Sequence, residues 1–248
     1  MAKTLCFAGR NTKEILRDPI SAIFGIVFPI VLLLLLSLIN SSIPAEAGMT
    51  LFEISSLTPG VAVFSLSFLA LFAAMLISKD RGSSFILRLY TSPLTGSGFI
   101  WGYLLPLVPM ALIQLLVCYT TALPLGLEFS VNILLACAVS LPVGMVNIAL
   151  GMIFGTLLSE KAVGGVCGAL LTNVSAWLSG TWFSLELVGG AFQKIAYVLP
   201  FANAVDAARA ALSGNYGEIW NKLWIVLVWA VGLLLVAVIL FTKKMKAK

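Results

Sequence analysis

The sequence predicts an all-α integral membrane protein built as a single transmembrane domain over residues 1–248, and three observations carry that prediction. Hydrophobic residues make up 60% of the 248 positions and charged ones only 10%, far below the roughly 25% charged of a soluble globular domain. Six uncharged stretches are each long enough for a helix of about 20 residues, the length that crosses about 30 Å of hydrocarbon. Most Lys and Arg residues fall on one side of those stretches. Backbone amides in lipid must bond internally, so helices are required, and the alternation of a barrel strand is missing.

The elements follow in chain order. Leu5 to Asp18 mixes Phe7, Ile15 and Leu16 with Arg10, Lys13, Glu14 and Arg17, a pattern for a helix lying in the membrane interface. Asp18-Pro19 ends it, because the residue before proline avoids the helical region. The six expected spans are Ile20 to Ile39, Leu57 to Ile77, Ile100 to Leu123, Val131 to Leu158, Val163 to Phe183 and Leu223 to Thr242. Phe28-Pro29 predicts a kink in the first. Gly151 and Gly155 in the fourth span, and Gly165 and Gly168 in the fifth, form small-residue seams that let helix backbones approach closely, and they are read as helix packing. Between the last two spans, Leu187 to Leu199 and Ala202 to Leu212 are each too short to cross. They are expected as outer re-entrant or interfacial helices broken at Pro200, with Asp206 and Arg209 paired three residues apart.

Charge sets the orientation. With the N-terminus inside, the cytosolic segments hold Lys3, Arg10, Lys13, Arg17, Lys79, Arg81, Arg88, Lys161, Lys243, Lys244, Lys246 and Lys248, 12 of the 15 basic residues, leaving Lys194, Arg209 and Lys222 outside. Both termini are therefore expected in the cytosol, and the net charge of +5 needs no nucleic-acid partner to explain it. The apolar run after the basic start is longer than a signal-peptide core, so it is read as a retained span despite the later Ala45-Glu46-Ala47. Cys6, Cys118, Cys137 and Cys167 lie in the leader or inside spans, and no disulfide is expected.

The segment Ser78 to Gly98, SKDRGSSFILRLYTSPLTGSG, is the unusual one. Phe85, Ile86, Leu89 and Tyr90 fall on one side of a short helix, opposite Arg81, Ser84 and Arg88. A plain interfacial connector held by anionic lipid fits this pattern equally well. Several chemistries lack their residues. There is no histidine for a nucleophile triad or most zinc sites. No carboxylate sits mid-span to couple a proton or sodium ion, and no phosphate loop is present to bind ATP. No catalytic residue and no metal site is therefore expected.

Three stretches resemble the type-2 permease family of ATP-binding-cassette transporters over nearly the whole chain. NTKEILRDPISAIFGIVFPIVLLLL is similar to the family's interfacial helix and first span. KDRGSSFILRLYTSPLTGSGFIWG resembles its Arg-Gly segment with a following Ser-Pro-Leu, Asp80 standing where glutamate is commoner. WLSGTWFSLELVGGAFQKIAYVLPFANAVDAARAAL is similar to its span-five exit and outer helices, although Ser184 stands where a proline is usual.

The resemblance implies a type-2 exporter fold of six spans in a bacterial cytoplasmic membrane, with Asp80 to Thr91 as a coupling helix. Asp80, Arg81, Phe85, Ile86, Arg88, Leu89 and Tyr90 would then dock in a groove of a separate ATPase. It implies two ATPase subunits that bind ATP and Mg, and a second permease, identical or closely related. No cofactor is implied in this chain. Spans two and five would line the substrate path, so Phe64, Phe68, Phe72 and Met75 are candidates there, facing Asn173 and Trp177. Packing against lipid or a neighbouring helix is the competing use for the phenylalanines. The cargo implied is hydrophobic or amphipathic, a drug, antibiotic, peptide or lipid-like molecule. Glycan export, a stand-alone carrier or channel, and a membrane scaffold stay as alternatives.

Overall fold

The computed structural model describes residues 2–42, 53–83 and 96–246. Among them every regular element is helical. Helix α1, Ala2–Arg17, is followed directly by α2, Pro19–Ser42. Asp18 caps the new helix by accepting from the Ser21 amide at 2.9 Å and its hydroxyl at 2.8 Å, with Pro19 in the first turn, the arrangement that satisfies orphan amides at a helix start. The segment Ile23–Val27 is a π-helix. Pro29 follows, with no amide to offer Gly25 and a ring that crowds that carbonyl, so the widened turn relieves the predicted kink.

Helix α3, Ile54–Gly82, is broken at Leu66 and Ser67 into Ile54–Ser65 and Phe68–Gly82. Bonds of the i to i−3 type take over there, as Ser67 N donates to Phe64 O at 2.9 Å. Helices α4, Gly96–Ala122, and α5, Asn132–Leu157, complete an inner group. Helix α5 is its centre, packed on α3, α4, the outer helix and the last span. The approach to α3 is close at the glycines: a β-carbon at Gly151 would lie 2.8 Å from Ala70 Cα, and one at Gly155 2.8 Å from Ala74 Cα. Ala70, Ala73 and Ala74 are the small partners that make this contact possible.

The expected fifth span contains a composite helix. Helix α6 runs through Glu160–Val163, the π-helical Gly164–Leu171 and Thr172–Leu178, then turns at Gly180, whose φ is 68°. Its length of 19 residues, the sum of pieces of 4, 8 and 7, would cover about 28 Å. Among the described residues five helices are long and apolar enough to cross a membrane, and α6 is not one of these five. A β-carbon at Gly168 would meet the Leu71 side chain at 3.3 Å, whereas one at Gly165 would meet nothing within 4 Å.

Beyond it, α7, Gly190–Val198, and α8, Pro200–Leu212, part at Pro200 as the sequence indicates. Helix α8 is buried along most of its length between α3, α5 and α9, Tyr216–Lys246. All four cysteines are free.

Candidate functional site

One end of the bundle gathers the basic segments, and the tail of α3 is its hub. Asp80 is only 1% exposed. Its carboxylate takes Arg10 Nη1 at 2.8 Å on each oxygen and the Tyr103 hydroxyl at 2.9 Å. Arg10 also reaches Glu14, one turn along α1, and Glu14 meets Lys79 at 3.2 Å. The opposite face of α1 is seated on α4: buried Asn11 donates to Gly102 O at 3.0 Å, and the Phe7 ring covers Gly102, which has no side chain to obstruct it. Phe7 meets the Tyr103 ring edge-on at 5.0 Å between centroids.

Arg81, the next residue, turns the other way. Its guanidinium donates to Gly155 O at 2.7 Å and Leu158 O at 3.2 Å, while Lys244 from α9 donates to Thr156 O at 2.7 Å. These carbonyls close α5 and have no partner further along the helix. Cations are the favourable partners there, because carbonyl dipoles accumulate at a helix C-terminus. The stem of α3 is thus held at once by α1, α4, α5 and, through the shared cap, α9. Helix α3 ends at extended Ser83, whose hydroxyl donates to Asp80 O at 3.0 Å.

Among the residues expected to couple, Phe85, Ile86, Arg88, Leu89 and Tyr90 lie outside the described residues. Asp80 does not stand on an exposed docking face. It belongs to the span's own helix and points inward, because Arg10 and Tyr103 together replace the water its charge would lose. Arg10, Asn11, Glu14, Tyr103 and Lys244 had no site role in the sequence. Only the i, i+4 spacing of Arg10 and Glu14 hinted at any pairing.

Of the two uses open to the phenylalanine stripe, the structure shows packing against a neighbouring helix. Phe64, Phe68 and Phe72 are buried against the first span: Phe68 stacks on Phe24 at 5.0 Å and meets Phe28 edge-on at 5.4 Å, and Phe64 meets Trp182 at 5.5 Å. The Asn173 amide bonds its own helix at Ala169 O, 2.8 Å, and Trp177 is 58% exposed. Met75 is half-buried beside a gap of about 40 Å³ bounded by Glu14 and Lys79.

At the other end, Arg209 donates to Ser56 O at 3.0 Å and Gly180 O at 3.3 Å, tying α8 to the heads of α3 and the turn after α6. Asp206 stands 4.0 Å from Arg209, the pairing predicted from spacing, and 3.4 Å from Lys222, which lies over the Tyr197 ring. Burial and the neighbouring Asp206 carboxylate push the Tyr197 phenol up to about 12. These groups border a polar cavity of about 520 Å³. Among the described residues no group of three or more histidine, cysteine or acidic side chains is placed to hold a metal.

The five apolar helices make this a multi-pass membrane protein. Residues 4–213 match the family model described as ABC-2 type transporter. The chain is also similar to ABC transporter G family member 20 of Dictyostelium discoideum, 24% identical over 201 residues, which is 78% of this chain and 27% of the relative. It therefore spans about a quarter of that relative's length. With the match covering most of the polypeptide, from α1 through α8, the chain belongs to the ABC-2 type transporter family.

Proposed function

We propose that this chain is the membrane gate of an ATP-driven exporter, moved by a separate ATPase that grips residues 84–91, just beyond the anchored α3 stem, from the cytosol. The observation that carries the reading is the double anchorage of the α3 stem. Asp80 is clasped by Arg10 and Tyr103, and Arg81 caps α5. A push on the residues just beyond Ser83 is therefore delivered to four helices together. A stem lacking such bonds would bend instead. The excess of Lys and Arg at this end supports a cytosolic placing for both termini.

The chain contributes no catalytic group of its own, and ATP with Mg is held by the ATPase. Two ATPase subunits and two permeases complete the machine, with the cargo path between the permeases. The outward face of α6 supports that placing, since Leu170 and Trp177 are exposed beside the Asn173 amide. A mixed apolar surface with one polar group suits a hydrophobic or amphipathic cargo leaving the cytoplasm or inner leaflet.

The test is transport-linked ATP turnover of the reconstituted complex. Arg81→Ala combined with Phe85→Asp should insert normally yet lower turnover by about 5- to 150-fold, the span of 1–3 kcal/mol of coupling free energy. Unchanged turnover in the double variant would remove the coupling role.

A further inference from the structure

We propose that the cleft between α1 and the start of α2 is a binding site for one anionic phospholipid headgroup, gripped by Lys13 and Arg17. The cleft has a volume of about 760 Å³ and is bordered by four cations, Arg10, Lys13, Arg17 and Lys79, against two carboxylates, Glu14 and Asp18. Both carboxylates are already engaged. Glu14 lies between Arg10 and Lys79, and Asp18 is turned onto Ser21 as the cap of α2. Arg10 is held by Asp80. Lys13 and Arg17 remain, both exposed, and no carboxylate among the described residues pairs with either. They stand one turn apart on α1, a spacing at which like charges repel. An anion between them removes that repulsion.

The neighbouring surface identifies the anion's source. On the strip of α1 beside these cations, Leu5 is 62% and Leu16 74% exposed. Large exposed leucines next to a basic stripe place a helix at the acyl–headgroup boundary, the leucines in hydrocarbon and the cations at phosphate depth. Below the cleft, α2 presents Ile20, Ile23 and Val27 outward, a surface for acyl chains. A phosphate carried on two such chains meets both the charge and the apolar strip. Inorganic phosphate meets only the charge. Basic clefts at this depth between membrane helices recognise anionic headgroups.

The full chain in detergent, titrated with phosphatidylglycerol and with phosphatidylcholine and read by native mass spectrometry, tests the site. The wild type should retain phosphatidylglycerol in preference. Lys13→Gln with Arg17→Gln should weaken that retention about thirtyfold, about fivefold per charge, and leave phosphatidylcholine unchanged. Lys13→Arg with Arg17→Lys should restore the preference, which separates charge from any effect on folding. Equal retention of the two lipids by the wild type would overturn the proposal, as would phosphatidylglycerol retention unaltered in the double Gln variant. Displacement of phosphatidylglycerol by an equal concentration of inorganic phosphate would overturn it too, by showing that the site ignores the acyl chains. Loss of ATPase binding in the double Gln variant with lipid retention intact would assign both cations to a protein partner instead.

Discussion

Replacing Asp80 by alanine removes the acceptor shared by Arg10 and Tyr103, and the structure sets the size of the loss. The Arg10 side chain is 37% exposed, so solvent screens its half of the ion pair and that pair is worth about 1 kcal/mol. The Tyr103 bond runs from a fully buried hydroxyl to a buried charge, and losing such a bond costs about 1.5–3 kcal/mol. Asp80→Ala should therefore destabilise the chain by about 2.5–4 kcal/mol, and Asp80→Asn, which keeps an acceptor for Tyr103, by about 1 kcal/mol. For a chain of this length each kcal/mol moves a melting temperature by about 2–4 °C. Thermal unfolding in detergent should thus fall by about 5–15 °C for the alanine variant and by about 3 °C for the asparagine one. A double-mutant cycle with Arg10→Ala should return a coupling of about 1 kcal/mol. An unchanged melting temperature in Asp80→Ala, or strictly additive effects of the two alanines, would refute the clasp.

Two further outcomes separate packing from path. Gly151→Leu and Gly155→Leu should each force α5 away from Ala70 and Ala74 and cost about 1–3 kcal/mol or more, whereas Gly165→Ala, with open space around it, should be neutral or stabilising by up to about 1 kcal/mol; thermal melts that rank them otherwise would contradict the seam. Phe68→Ala should destabilise by about 3–5 kcal/mol through the cavity it leaves among Phe24, Phe28 and Phe64. Trp177→Ala should leave the melt unchanged and alter which compounds stimulate ATP turnover, and an unaltered compound profile would take Trp177 off the cargo path.

The features that proved legible were those written in local pattern. Hydrocarbon length and charge marked out five apolar helices and the short amphipathic helix before them. Asp18-Pro19, Phe28-Pro29 and Pro200 marked their breaks, and the small residues at Gly151 and Gly155 marked a close contact. What stayed hidden was pairing at long range. Nothing in a single chain says that Arg10 and Asp80, 70 positions apart, share a carboxylate, or that Arg81 closes the end of a helix begun 51 residues later at Asn132. The four-residue spacing of Phe64, Phe68 and Phe72 fixes a face without naming its neighbour, and Phe24 with Phe28 fills it. The burial of Asp80 was hidden for a related reason: a charge at the end of an apolar run reads as solvated until its partners are known.

The central claim is that residues 84–91 are a cytosolic handle held by the ATPase, with Asp80 and Arg81 anchoring its stem. Phe85→Cys in a Cys6→Ser background tests it most directly, because the other three cysteines are buried. A short bifunctional cross-linker applied to the assembled complex should join the substituted chain to the ATPase subunit through the new thiol, and a membrane-impermeant thiol reagent added outside intact cells should leave that position unlabelled. Labelling from outside, or no cross-link to the ATPase, would contradict the account.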